Sequence, residues 1–148
     1  MSFDVHLVKE ETVLIANPQK KGETQSIKIF RLKTKITNTS DETIYFLNVT
    51  CKQEEMYSLK NSELFHFHSI TDCEKSSQTL ISLKPNEFCE NEIAITPLMK
   101  DELLPASTVI GFEFIEYIPG SDFDIIDSYQ ARHTSGKTIW SEPFSLKK

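Results

Sequence analysis

The sequence predicts an all-β fold. No segment of the 148 residues sustains an apolar period near 3.6 residues. Short runs that alternate apolar and polar residues recur instead. Clusters of Asn, Asp, Ser, Pro and Gly separate them, as turn formers separate the strands of a sandwich or barrel.

The elements follow in order. Phe3, Val5 and Leu7 alternate with Asp4 and His6 and predict a first strand, and Asn17-Pro18 with Lys20-Lys21-Gly22 predicts a turn. A second strand is expected over residues 26–37, with Arg31, Lys33 and Lys35 on one face and Phe30, Leu32, Thr34 and Ile36 on the other. Ile27 and Ile29 fall out of phase, so a bulge is expected near Ile29-Phe30. Asn38 to Glu42 reads as a turn, because Asn, Ser and Asp side chains bond their own backbone. A strand over residues 43–53 follows, with Tyr45, Leu47, Val49 and Cys51 inward. Residues 54–61 are ambiguous, residues 63–70 read as a strand and residues 71–78 as a polar loop.

Residues 79–83 and 87–96 flank Lys84-Pro85-Asn86-Glu87, where Pro presets a turn and Asn tolerates a left-handed backbone. One short helical turn is expected over residues 99–104. Residues 107–118 form a long strand broken by Pro119-Gly120, and residues 137–146 form the last, with Trp140, Phe144 and Leu146 sharing parity. The expectation is one domain over residues 1–148 with about seven or eight strands. Its core should hold Leu32, Ile36, Leu47, Val49, Phe65, Phe67, Ile93, Ile95, Phe112, Phe114 and Trp140.

Two turns carry a resemblance. Ile36-Thr37-Asn38-Thr39-Ser40 followed by Ile44, and Leu83-Lys84-Pro85-Asn86-Glu87 followed by an alternating run, resemble the corresponding turns of bacterial immunoglobulin-like modules. Asn86 stands where those modules carry Gly. Ile139-Trp140-Ser141 is similar to their closing strand. The resemblance covers about residues 27–96 and implies an immunoglobulin-like antiparallel β-sandwich with a binding role and no catalytic residue. The family's disulfide aligns with no cysteine pair here.

The formal net charge is −6, unevenly spread. Residues 1–50 hold seven Lys/Arg and six Asp/Glu, a balance of +1; residues 51–148 hold nine and sixteen, a balance of −7. Between Asp101 and Ala131 stand seven carboxylates and no Lys or Arg. Such a balance disfavours nucleic acid, which needs cations to displace counterions, and suits a basic protein partner. Glu113, Glu116, Asp122, Asp124 and Asp127 are the expected partner-binding residues. No run of about 18 apolar residues is present, so no membrane partner is expected. Cys51, Cys73 and Cys89 make an odd count without a CxxC, which points to free thiols in a reducing cytoplasm. Asn38-Thr39-Ser40 and Asn48-Val49-Thr50 match the glycosylation pattern but read more simply as turn and strand residues.

Catalysis finds no support. There is no GxSxG elbow, no HExxH and no Gly-rich phosphate loop, and no cofactor is expected. His66 and His68 are two apart on a strand, so both rings share a face as metal ligands can. A third ligand would have to converge, and the plainer reading is a solvated face opposite Phe65 and Phe67. Asp122, Asp124 and Asp127 after Pro119-Gly120 hint at a calcium loop but lack the closing bidentate Glu. The leading expectation is non-catalytic protein binding, most concretely a small acidic immunity protein that neutralises a cognate toxin. The rivals are a metal-binding protein or metal-dependent enzyme built on His66 and His68, and a structural subunit that pairs through an edge strand.

Overall fold

The computed structural model describes residues 1–49, 51–70, 78–117 and 137–147. Eleven β-strands and two short 3₁₀ turns account for their regular structure. The strands are β1 (Ser2–Ala16), β2 (Thr24–Thr37), β3 (Ile44–Val49), β4 (Tyr57–Leu59), β5 (Phe65–His68), β6 (Gln78–Leu83), β7 (Phe88–Pro97), β8 (Ser107–Thr108), β9 (Ile110–Phe114), β10 (Lys137–Trp140) and β11 (Phe144–Ser145). The segments outnumber the expected strands because long strands are interrupted. β3 and β4 are separated by a 3₁₀ turn at Gln53–Met56, β8 and β9 by Val109, and β10 and β11 by Ser141 to Pro143. The second 3₁₀ turn, Asp101–Leu103, falls inside the expected helical turn.

One sheet runs β1-β2-β7-β5, with every pair antiparallel. The other assembles around β9. β10 pairs along one side of it, and β4 along the other. β3 continues the line of β4: Phe46 bridges Glu116, the Leu47 N–H donates to the Ile115 carbonyl at 3.0 Å, and the Tyr117 N–H donates to the Tyr45 carbonyl at 2.9 Å. β6 then pairs with β3, and β8 with β11. The two sheets thus read β1-β2-β7-β5 and β6-β3/β4-β9-β10. This is an all-β, sandwich-like arrangement of antiparallel sheets; β6, beside β3, follows β5 in the chain, whereas the C′ strand of an immunoglobulin fold precedes D.

Alternation explains the core. Leu32, Thr34 and Ile36 of β2 and Ile93 and Ile95 of β7 point inward, while Arg31, Lys33 and Lys35 point out. Phe112 is fully buried, with ring centroids of Tyr57, Phe46 and Phe3 at 5.4, 5.8 and 6.0 Å. Phe67 and Phe114 pack against this cluster from its margin. The basic stripe is answered by carboxylates on neighbouring strands: Arg31 Nε meets Glu11 Oε1 at 2.6 Å, and Lys33 meets Glu90 at 3.5 Å. The Arg31 bond, with Lys9 second, holds the Glu11 carboxyl below its ordinary value.

The bulge lies on the partner strand. Ile29 and Phe30 are both buried, but the register slips between Leu7 and Lys9, so the extra residue is Val8 of β1. β1 and β2 stay paired beyond Phe30, where β7 ends its contact with β2, and form a two-stranded arm. Lys28 ties that arm to the Asp101–Leu103 turn, meeting Glu10 and Asp101 at 3.0 Å each. Those bonds, Glu10 first, raise the Lys28 pKa.

Two expectations are overturned. Trp140 is not in the core: it is 46 % exposed, and Ile139 is the residue of β10 that packs inward. Ser141 to Pro143 breaks the parity that linked Trp140 to the buried Phe144 and Leu146. Nor are all thiols free. Cys51 is disulfide-bonded, and Cys89 is a free cysteine whose thiol burial pushes upward in pKa. An odd count accommodates one bridge and one free thiol. Cys73 lies outside the described residues.

Candidate partner-binding end of the sandwich

Several connections leave one end of the sandwich. β2 finishes at Thr37, and the chain re-enters at Ile44 after the Asn38 turn. The turn between β6 and β7 packs on that same point: the Asn38 N–H donates to the Glu87 carbonyl at 2.9 Å, and the Asn86 N–H to the Asn38 carbonyl at 2.8 Å. The chain leaving β9 reaches this end too, since Tyr117 bonds the Tyr45 carbonyl at the start of β3.

Asn38 ties the turns of this end together. Its side chain is fully buried and fully used. Its Nδ2 donates to the Glu42 and Leu83 carbonyls at 2.7 and 2.9 Å, and its Oδ1 accepts from the Ser40 N–H and hydroxyl at 2.9 and 2.7 Å. Pro85 and Asn86 form the turn expected of them: Asn86 has φ 67°, and the Glu87 N–H bonds the Lys84 carbonyl at 3.0 Å. Neither glycosylation-pattern Asn presents its side chain, since Asn48 is buried as well.

The end is acidic. Among the described residues, Asp41, Glu42, Glu87 and Glu116 are exposed there, against Lys84, Lys137 and the Met1 ammonium. Glu116 and Lys137 line a cavity of about 420 Å³ together with Met1, Phe114, Thr138 and Ile139. Glu113 sits elsewhere. It lies on the outer face of the β4-β9-β10 sheet, where its Oε1 accepts from the Ser58 hydroxyl at 2.8 Å. The structure therefore separates Glu113 from Glu116. Asp122, Asp124 and Asp127 fall in the sequence between Tyr117 and Lys137, outside the described residues.

His66 is exposed and His68 half-buried, opposite Thr96 and Ala94 of β7. Among the described residues, no group of three or more His, Cys, Asp or Glu is placed to hold a metal ion. Among them also, no helix is long and apolar enough to cross a membrane. Sequence reasoning missed Asp41, Glu42 and Glu87 as neighbours of Glu116, because only the pairing of β3 with residues 115–117 brings them to one end. No known family model, curated protein or solved structure matches this chain.

Proposed function

We propose that this chain is a non-catalytic protein-binding domain that docks a basic partner on its acidic end, in the manner of an immunity protein that neutralises a cognate toxin. One observation carries the reading. The Asn38 turn, the Lys84–Glu87 turn and the chain leaving Tyr117 converge on one end and present an excess of carboxylates on a hydrogen-bonded base. Loops on a rigid sandwich are common recognition elements, and carboxylates steer association with cationic proteins. Asp122, Asp124 and Asp127 enter the proposal through their place in the sequence between Tyr117 and Lys137. The cytoplasmic home expected from the cysteine count rested on free thiols. With Cys51 bonded, an oxidising compartment suits this reading better.

A second reading draws on β1, a strand of 15 residues at a sheet edge, as a structural subunit needs. The bulge at Val8 and the charges of Lys9, Glu10 and Glu11 oppose it, since bulges and charges blunt edge pairing.

The test is co-expression with the product of the adjacent gene. A stoichiometric complex that abolishes a toxicity of that product is the expected result. It should weaken when Asp41, Glu42, Glu87 and Glu116 are neutralised together. A product that is harmless alone, or that forms no complex, overturns the immunity reading.

A further inference from the structure

The outer face of the β4-β9-β10 sheet carries a second constellation. Trp140 of β10 is cross-strand from Gly111 of β9, and Gly111 is cross-strand from Ser58 of β4. One pleat along, Thr138 faces Glu113. These five positions share a face, because side chains two apart on a strand point the same way. Trp140 is 46 % exposed although it is the largest side chain in the protein and the chain's single tryptophan.

Gly111 lets the indole lie on the sheet. A Cβ at that position would meet Trp140 Cε3 at 2.9 Å and Thr138 Cγ2 at 2.5 Å. Around the ring stand hydrogen-bonding groups of several kinds: the Glu113 carboxylate, the Ser58 and Thr138 hydroxyls and the Lys60 ammonium. The Lys60 Nζ is 5.9 Å from the ring centroid, at the outer limit of cation–π contact.

We propose that this face is a platform for a single sugar ring, a pyranose stacked on Trp140. The negative face of an indole attracts the polarised C–H bonds on one side of a pyranose. The row holding Thr138 and Glu113 lies about 7 Å from the row holding Trp140, two strand residues away, which is the reach of the ring's equatorial hydroxyls. The Glu113 carboxylate and Ser58 accept from those hydroxyls, and Lys60 donates to them. A protein hot spot is the competing occupant. It calls for apolar surroundings that exclude water, but among the described residues the other large exposed apolar side chains, Leu14, Leu80, Phe88, Leu98, Met99 and Leu103, stand on none of these three strands. The disulfide at Cys51 agrees independently, because disulfides persist outside the reducing cytosol, on the side of the membrane where glycans are displayed.

Trp140 itself reports the test. Its fluorescence is titrated with cellohexaose, chitohexaose, mannohexaose and xylohexaose, each to about 10 mM, a range that covers the weak affinity of one stacked ring. The expected result is a saturable change with at least one of them. By calorimetry, Trp140→Ala abolishes that binding, Trp140→Phe retains part of it, and Glu113→Gln weakens it at least about tenfold. Glu116→Gln leaves it unchanged, which separates this site from the acidic end. Circular dichroism verifies that each variant is folded. No saturable change with any of the four, or equal binding by Trp140→Ala, overturns the proposal.

Discussion

The Tyr57 phenol and the Thr34 hydroxyl meet 2.8 Å apart inside the sandwich and tie its two sheets together. Tyr57 reaches over from β4; Thr34 belongs to β2 and is fully buried. Asn91 of β7 closes the set. Its Nδ2 donates to the Tyr57 oxygen at 3.0 Å, and its carbonyl accepts from the Thr34 hydroxyl at 3.3 Å. With those two bonds assigned, the Tyr57 O–H donates to Thr34. Every hydroxyl hydrogen in the set then has an acceptor.

Tyr57→Phe should cost about 1–3 kcal/mol, the penalty of leaving buried polar groups unpaired. The same residue sets an alkaline dependence. Burial, as the largest cause, raises its pKa from 10.0 to about 12. The neutral phenol is thus favoured by the fold. Its stabilisation is fully present below pH 10 and is lost as pH rises toward 12, where the unfolded chain has already given up its proton. Urea midpoints at pH 8, 10 and 11.5 should fall along this limb in the wild type and less steeply in Tyr57→Phe. Parallel slopes would count against Tyr57 as the titrating group.

Phe112 and Trp140 should behave oppositely, though both are large aromatics of one sheet. Phe112→Ala empties the centre of the core and should cost about 3–5 kcal/mol. Trp140→Ala removes a ring from the outer face and should stay within about 0.5–1 kcal/mol. Chemical denaturation measures both, and equal losses would place Trp140 back in the core.

The cysteines should separate by chemistry. Under denaturing, non-reducing conditions a thiol reagent should modify Cys89 and spare Cys51; reduction should expose Cys51. In the native state Cys89 should react slowly, because burial keeps its thiol protonated. Modification of Cys51 without reductant would show that the bond is absent.

The sequence was legible where one principle acts locally. Alternation in β2 and β7 marked Leu32, Ile36, Ile93 and Ile95 as core, and Pro85-Asn86 marked its turn through backbone preference alone. Legibility failed where the deciding neighbour is distant in the chain. Ile29 and Phe30 signalled a change of phase, but nothing in β2 says that the extra residue is Val8 on the strand beside it. β1 extends to Ala16 through charged residues that satisfy cross-strand partners not yet known from sequence, such as Arg31 and Lys28. Trp140 reads as core by its parity with Phe144 and Leu146. Only its pairing with Gly111 shows that the outer face has room for it. The acidic end is legible as composition but not as a place, because β3 and Glu116 are about 70 residues apart and are joined by one bridge.

Gly111 provides the sharpest packing test. Its constraint is steric, since a Cβ there would meet both Thr138 and Trp140 below 3.0 Å. Gly111→Ala should cost about 1–3 kcal/mol, as overpacking does. It should also shift the tryptophan emission, because the indole must lift from the sheet. Trp140→Ala alone is nearly neutral, yet combined with Gly111→Ala it should return part of the loss, because one of the two collisions disappears. Thr138 Cγ2, the nearer atom at 2.5 Å, would remain, so the rescue should be incomplete. A double-mutant cycle should give a coupling of about 0.5–3 kcal/mol, the range for residues in contact. Strict additivity would mean that the indole does not rest on Gly111, and the outer-face platform would lose its footing.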